Sequence, residues 1–163
     1  MNIETAMVQA YRNALGSPDP STQNGAVLLK NGGVLGNGCN NFPPGVDEQF
    51  WHGAKADKYA RVVHAETYTI LDAARNGYSV LGSTLVCPWA ACSNCAKHIA
   101  ASGVQTLVRH TFANSGVTTG SHWYEDCLVG DEILRSSGVE IIEMDPIPTA
   151  EIALRRDGEL WTP

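Results

Sequence analysis

His64, Glu66, Cys92 and Cys95 are the residues of this chain whose types and spacing could do chemistry. A Cys-x-x-Cys pair sets two thiols about one helical turn apart, facing the same point. His64 stands 28 positions before Cys92. The local pattern has His64 opening one helix and the two cysteines opening another. Free N–H groups and the helix dipole at such a start favour thiolates. Two helix starts side by side would close three protein ligands on one zinc ion and leave a fourth position for water. Glu66 lies two residues beyond His64. Residues two apart on a helix do not share a face, so Glu66 is expected near that water rather than as a fourth ligand. Two thiolates cancel the formal charge of Zn²⁺, and an adjacent carboxylate can then move protons to and from an activated water. The competing reading is a structural zinc site, which needs a fourth side chain. Cys87 is the nearest spare thiol, but it ends an apolar strand.

These residues need elements to hold them. Ile3, Ala6, Met7, Ala10, Tyr11, Ala14 and Leu15 recur at helical spacing, and Gly16 to Pro20 stop that helix. Residues 26–29 and 34–39 read as strands joined by the hairpin turn Lys30-Asn31-Gly32-Gly33. Residues 40–62 read as irregular. Val63, Thr67, Ile70, Leu71 and Ala74 mark a second helix ending near Gly77. A short strand follows at 84–87, then a helix through Ile99 closed by Gly103, then a strand at 104–108. A polar loop is expected over 111–121, a helix over 123–134 and a last strand over 139–142, with a proline-bearing tail beyond Met144. This β-β-α-β-α-β-α-β order predicts an α/β layered domain around a mixed sheet: one early hairpin, then crossover helices.

Composition excludes several classes. The chain has 163 residues, enough for one ordinary domain, with 44% hydrophobic and 17% charged residues, so it can bury a core. Its net charge of −6 lacks the basic footprint of a polynucleotide binder. No apolar run approaches the roughly 18 residues of a membrane span, and the first residues carry no basic stretch before an apolar segment. Five cysteines, an odd number, argue for reduced thiols and a cytoplasmic setting.

His-x-Glu upstream of Cys-x-x-Cys is the signature of the zinc deaminases. Further segments narrow it: Asp19-Pro20-Ser21-Thr22-Gln23-Asn24-Gly25-Ala26, Gly38-Cys39-Asn40-Asn41-Phe42-Pro43-Pro44-Gly45, Lys58-Tyr59 ahead of Val63-His64-Ala65-Glu66, and Cys92-Ser93-Asn94-Cys95-Ala96-Lys97. On these the chain resembles the deoxycytidylate (dCMP) deaminases of the cytidine deaminase superfamily, of a phage type. The resemblance implies a three-layer α/β/α fold with a central five-stranded mixed sheet, a deaminase domain over 1–145 and a tail over 146–163. It implies zinc on His64, Cys92 and Cys95, and Glu66 as the proton shuttle between water, N3 of the base and the leaving amine. It implies Asn40 on the deoxyribose and the Ala65 backbone N–H on the base carbonyl, and it puts Asn24 beneath the base, where relatives usually carry a small apolar residue. The activity implied is hydrolysis of dCMP to dUMP, with dCTP a further possible substrate. A homohexamer in the cytoplasm (the host's, if phage-encoded) is implied too, activated by dCTP and inhibited by dTTP, with Mg²⁺ beside the triphosphate and neither polynucleotide nor membrane as partner. Ala91 stands where relatives carry proline before the first cysteine, and Gly16 and Ser17 stand where many carry arginine. The alternatives are a deaminase of polynucleotide cytosine or tRNA adenine, and a non-catalytic zinc-stabilised nucleotide-binding module.

Other residues carry weaker expectations. Lys55, Lys58 and Arg61 read as a solvated face, with a phosphate clamp as the minority reading. Arg109 and His110 follow a strand, where open-sheet ligands bind, and are candidates for the nucleotide site. Phe112, Trp123 and Tyr124 could stack on a base, although aromatics at helical positions are more often core. His98 reads as structural, and His52 and His122 show no ligand partner. Cys39, Cys87 and Cys127 are too scattered to build a second zinc site and read as small buried thiols.

Overall fold

The computed structural model describes residues 1–115, 122–145 and 151–163. Helix α1 (Ile3–Ala14) starts where the Asn2 side chain accepts a hydrogen bond from the Thr5 backbone N–H at 2.8 Å, an N-cap that satisfies one of the helix's orphan donors. Strands β1 (Gly25–Lys30) and β2 (Gly33–Cys39) form the expected hairpin. Helix α3 (Ala65–Arg75), strand β3 (Thr84–Val86), helix α4 (Ser93–Ser102) and strand β4 (Thr106–His110) follow. After them come helices α5 (Thr111–Ser115) and α6 (His122–Ser136) and strand β5 (Glu140–Met144). The sheet order is β2-β1-β3-β4-β5, with β1 antiparallel to both neighbours and β3, β4 and β5 parallel. This is the mixed five-stranded α/β architecture that the element order predicts.

Strand β1 is apolar along its length because both faces are covered. Ala26 and Leu28 join Leu85, Leu107, Ile99 and Leu134 in the core under α3, α4 and α6. Val27 and Leu29 point the other way, toward Ala6, Met7, Ala10 and Tyr11 of α1. Each fully buried Leu, Ile, Val or Met among these contributes about 1.5–3 kcal/mol. Helix α3 lies unusually close to β2. A Cβ at Gly38 would meet the Thr69 hydroxyl at 2.7 Å and the Thr69 nitrogen at 3.0 Å, so only glycine lets that helix approach.

The structure departs from the sequence reading in three places. Within 40–62 it forms a 3₁₀ turn (Glu48–Trp51) and the short helix α2 (Lys55–Tyr59), too brief to leave an apolar period. The start of the polar loop is helix α5, while residues 116–121 lie outside the described residues, as do Pro146 and Pro148. The tail holds a second antiparallel ladder, β6 (Leu154–Arg156) with β7 (Glu159–Trp161). Asp157 and Gly158 turn it, at φ 52 and φ 88, as Asp-Gly hairpins require. Ile152 and Leu154 bury themselves in the α1-side core. Among the described residues no helix is long and apolar enough to cross a membrane.

Candidate active site

The site forms where two helices begin beside the carboxyl end of β3. His64 is the N-cap residue of α3 and Cys92 that of α4, both extended at ψ 155 and ψ 164. The Cys92 sulfur accepts from the Cys95 backbone N–H at 3.5 Å. His64 Nδ1 lies 3.4 Å from Cys92 Sγ and 3.5 Å from Cys95 Sγ. Tetrahedral zinc with bonds of about 2.3 Å to sulfur and about 2.0 Å to nitrogen sets such pairs about 3.6 Å apart. The donor set and its spacing therefore fit the ion, and no other described group of His, Cys, Asp or Glu side chains gathers in this way. Cys87 stands apart: its Sγ accepts from the Asn24 side-chain amide at 3.4 Å, and burial pushes its thiol up. A structural site closed by a fourth side chain has no such residue among those described.

The electrostatics suit a cation. A hydrogen bond with Cys95, assisted by one with His64, pulls the Cys92 thiol below its ordinary value. The same bond with Cys92 holds Cys95 up. The bond to Cys92 also raises His64. A shared proton between two sulfurs is what a metal displaces when it binds. Glu66, in the first turn of α3, is 3% exposed, and burial pushes its carboxyl up to about 7. Its Oε2 has no hydrogen-bond partner among the described residues. A buried carboxyl oxygen left without a donor is costly unless something else uses it.

A cavity of about 350 Å³ is lined by two of the three ligands, His64 and Cys92, and by Glu66. Asn24, Asn40 and Ala65 line it, so the sequence-predicted residues come together. Asn40 is heavily engaged within the protein. Its Nδ2 donates to Asp19 Oδ2 at 3.1 Å and to the Thr22 carbonyl at 2.9 Å, and its Oδ1 accepts from the Asn24 N–H at 2.8 Å. It locks the 19–24 loop as a cavity wall. The Asn24 side chain is tied to Cys87 and to the Gly25 N–H.

Several weaker expectations change. Lys58 is not solvated: it is 8% exposed, and its Nζ lies 3.1 Å from both Asp19 carboxylate oxygens. A helix only five residues long hid that burial, and its acid lies 39 positions away. Arg109 and His110 do not line the cavity. Arg109 forks onto Asp131 at 2.7 and 3.0 Å and pairs with Glu143, while His110 binds Tyr11 and, at 2.6 Å, Asp145. Trp123 does reach the cavity, its ring 6.0 Å from His64 and 6.0 Å from Tyr59. His98 Nδ1 pairs with the Thr67 hydroxyl at 2.9 Å, outside the ligand set. Trp89 and Arg156 also line the cavity. The sequence reading assigned neither a role, because nothing in their spacing ties them to the zinc motif.

Comparison with known proteins agrees with this geometry. The family model described as the cytidine and deoxycytidylate deaminase zinc-binding region matches residues 1–111. The chain belongs to that family. Within it, the chain is a zinc-binding deaminase, a hydrolase, of the dCMP deaminase branch. It is 28% identical to the deoxycytidylate deaminase of Enterobacteria phage T4 over 184 residues, spanning 88% of this chain and 90% of that one. It is 31% identical over 127 residues to a deaminase of Aliivibrio fischeri, spanning 77% of this chain and 81% of that one. Among solved structures, the dCMP deaminase of cyanophage S-TIM5 superposes with a TM-score of 0.68 in its apo form and 0.67 in complex with dCMP and dUMP. The identity is 26%, covering 86% of this chain and 95% of that one.

Proposed function

We propose that the protein hydrolyses dCMP to dUMP and ammonia. The observation that carries this is one cavity lined by His64 and Cys92 of the His64, Cys92 and Cys95 triad and by Glu66, whose buried Oε2 no described residue engages. The dCMP and dUMP held by the cyanophage relative support the choice of nucleotide. Zinc on the triad, when bound, supplies a Lewis acid that makes water an effective nucleophile near neutral pH.

The remaining work falls to the chain's own residues. Glu66 Oε2 takes a proton from the attacking water and hands it to N3 of cytosine as the new C4–O bond forms. It then carries the second proton of that oxygen to the exocyclic amine, the C4–N bond breaks, and ammonia leaves. A carboxyl that titrates near neutrality can both accept and donate at each stage. The Ala65 N–H, in the first turn of α3 where backbone donors have no intrahelical acceptor, donates to the base carbonyl. Asn40 presents its remaining carbonyl lone pair to the deoxyribose, and Asn24 floors the base. Trp123 and Trp89 form walls beside the base.

Ammonia release from dCMP, deoxycytidine and a single-stranded oligonucleotide tests the reading. Release from dCMP is expected; release from the oligonucleotide alone contradicts it, and the net charge of −6 already opposes that outcome. The regulatory part of the reading is a homohexamer activated by dCTP and inhibited by dTTP with Mg²⁺. Its support is the resemblance to dCMP deaminases, and rate curves that stay flat against both triphosphates remove it. Cytoplasmic location accords with five free cysteines.

A further inference from the structure

We propose that Arg156, on the C-terminal hairpin, binds the 5′-phosphate of the substrate and sets the preference for nucleotide over nucleoside. The proposal rests on the dCMP reading above. A phosphate monoester brings close to two negative charges into the cavity and calls for a cation there. Among the described residues, three basic side chains line that cavity: Lys58, His64 and Arg156. Lys58 is neutralised by Asp19 at 3.1 Å, and His64 belongs to the zinc triad. The Arg156 guanidinium makes no ion pair or hydrogen bond with a described residue. Glu159, directly across the ladder from it, does not come within ion-pair distance.

The guanidinium is nevertheless held in place. It sits over the Trp89 ring at 4.7 Å and the Trp161 ring at 5.4 Å. Stacking on two indoles restricts the planar fork while leaving its N–H edges available. The indole nitrogen of Trp89 is itself buried without an acceptor among the described residues. Strand alternation explains the direction of Arg156: it shares a face with Leu154, which is 1% exposed in the core.

Four hydrogen bonds dock the hairpin onto the loop that walls the cavity. The Gln23 N–H donates to the Arg155 carbonyl at 3.0 Å, and the Arg155 N–H donates to Gln23 Oε1 at 3.0 Å. The Asp157 N–H donates to the Thr22 hydroxyl at 3.2 Å, and the Gly158 N–H to the Ser21 carbonyl at 2.8 Å. The hairpin is thus a wall of the site, although the match to the family model ends at residue 111.

Arg156→Gln and Arg156→Lys, both zinc-loaded, are to be assayed on dCMP and deoxycytidine, with dUMP binding measured by calorimetry. For Arg156→Gln, dUMP affinity falls about ten- to a hundredfold and KM for dCMP rises by a similar factor, as for loss of a charge-assisted bond. The ratio of kcat/KM for dCMP over deoxycytidine falls with them. Arg156→Lys recovers part of the loss, since it keeps the charge without the fork. Equal losses on both substrates, or unchanged dUMP affinity, overturn the proposal. A wild-type protein that uses deoxycytidine as well as dCMP also overturns it, while leaving the deaminase reading intact. A wild-type protein inactive on both overturns dCMP as substrate instead, and the dUMP affinities then decide Arg156 alone.

Discussion

Glu66 combines two features rarely found in one carboxyl group: near-complete burial and an oxygen with no donor among the described residues. Burial raises its pKa to about 7, where a group can give and take a proton with equal ease. Glu66→Gln keeps the shape and removes the proton. Its turnover of dCMP is expected to drop about a hundred- to ten-thousandfold, with zinc content unchanged by elemental analysis. Loss of zinc in that variant would mean that Glu66 is a ligand. The four residues of this centre are legible in the bare sequence because metal ligands are rare residue types at fixed spacing. Lys58 is not, since its burial depends on an acid distant in the chain. Nor is the packing role of Asn40, because an asparagine looks the same whether it faces a sugar or three backbone and side-chain partners.

At the scale of elements, the zinc ligands are placed by how closely helices approach one another. Helix α6 lies against the segment leading into Cys92. A Cβ at Gly130 would stand 2.2 Å from the Ala91 carbonyl oxygen and 3.2 Å from the Cys92 carbonyl carbon. Gly130→Ala is expected to cost about 1–3 kcal/mol through overpacking and to weaken zinc retention, read by thermal melting and by zinc loss to a chelator. An alanine variant that matches the wild type in both would show that α6 does not fix the Cys92 segment. Helices and strands with a long apolar period, such as α1, β1 and α3, are legible in the sequence. Helix α2 and the β6–β7 hairpin are not: five residues and two three-residue strands are too short to carry a period, and the hairpin takes its place from docking on Gln23, Thr22 and Ser21 and from burial of Leu154 in the core.

For the whole molecule, the sheet brings together residues far apart in the chain. The early hairpin contributes Asn24 and Asn40, the two helix starts contribute His64, Cys92 and Glu66, and the last strands contribute Arg156 to the same cavity. The mixed sheet is legible from element order, because a hairpin followed by crossover helices leaves few ways to pair the strands. The closing of the C-terminal segment over the site is not, because no local pattern encodes contacts across more than a hundred residues. The central claim concerns one metal and one reaction. The most direct measurement is ammonia release from dCMP while zinc is titrated into chelator-stripped protein. The rate is expected to rise in proportion to zinc and to level off at one equivalent per chain. A rate independent of zinc, or a fully loaded protein that releases no ammonia from dCMP, would contradict the account.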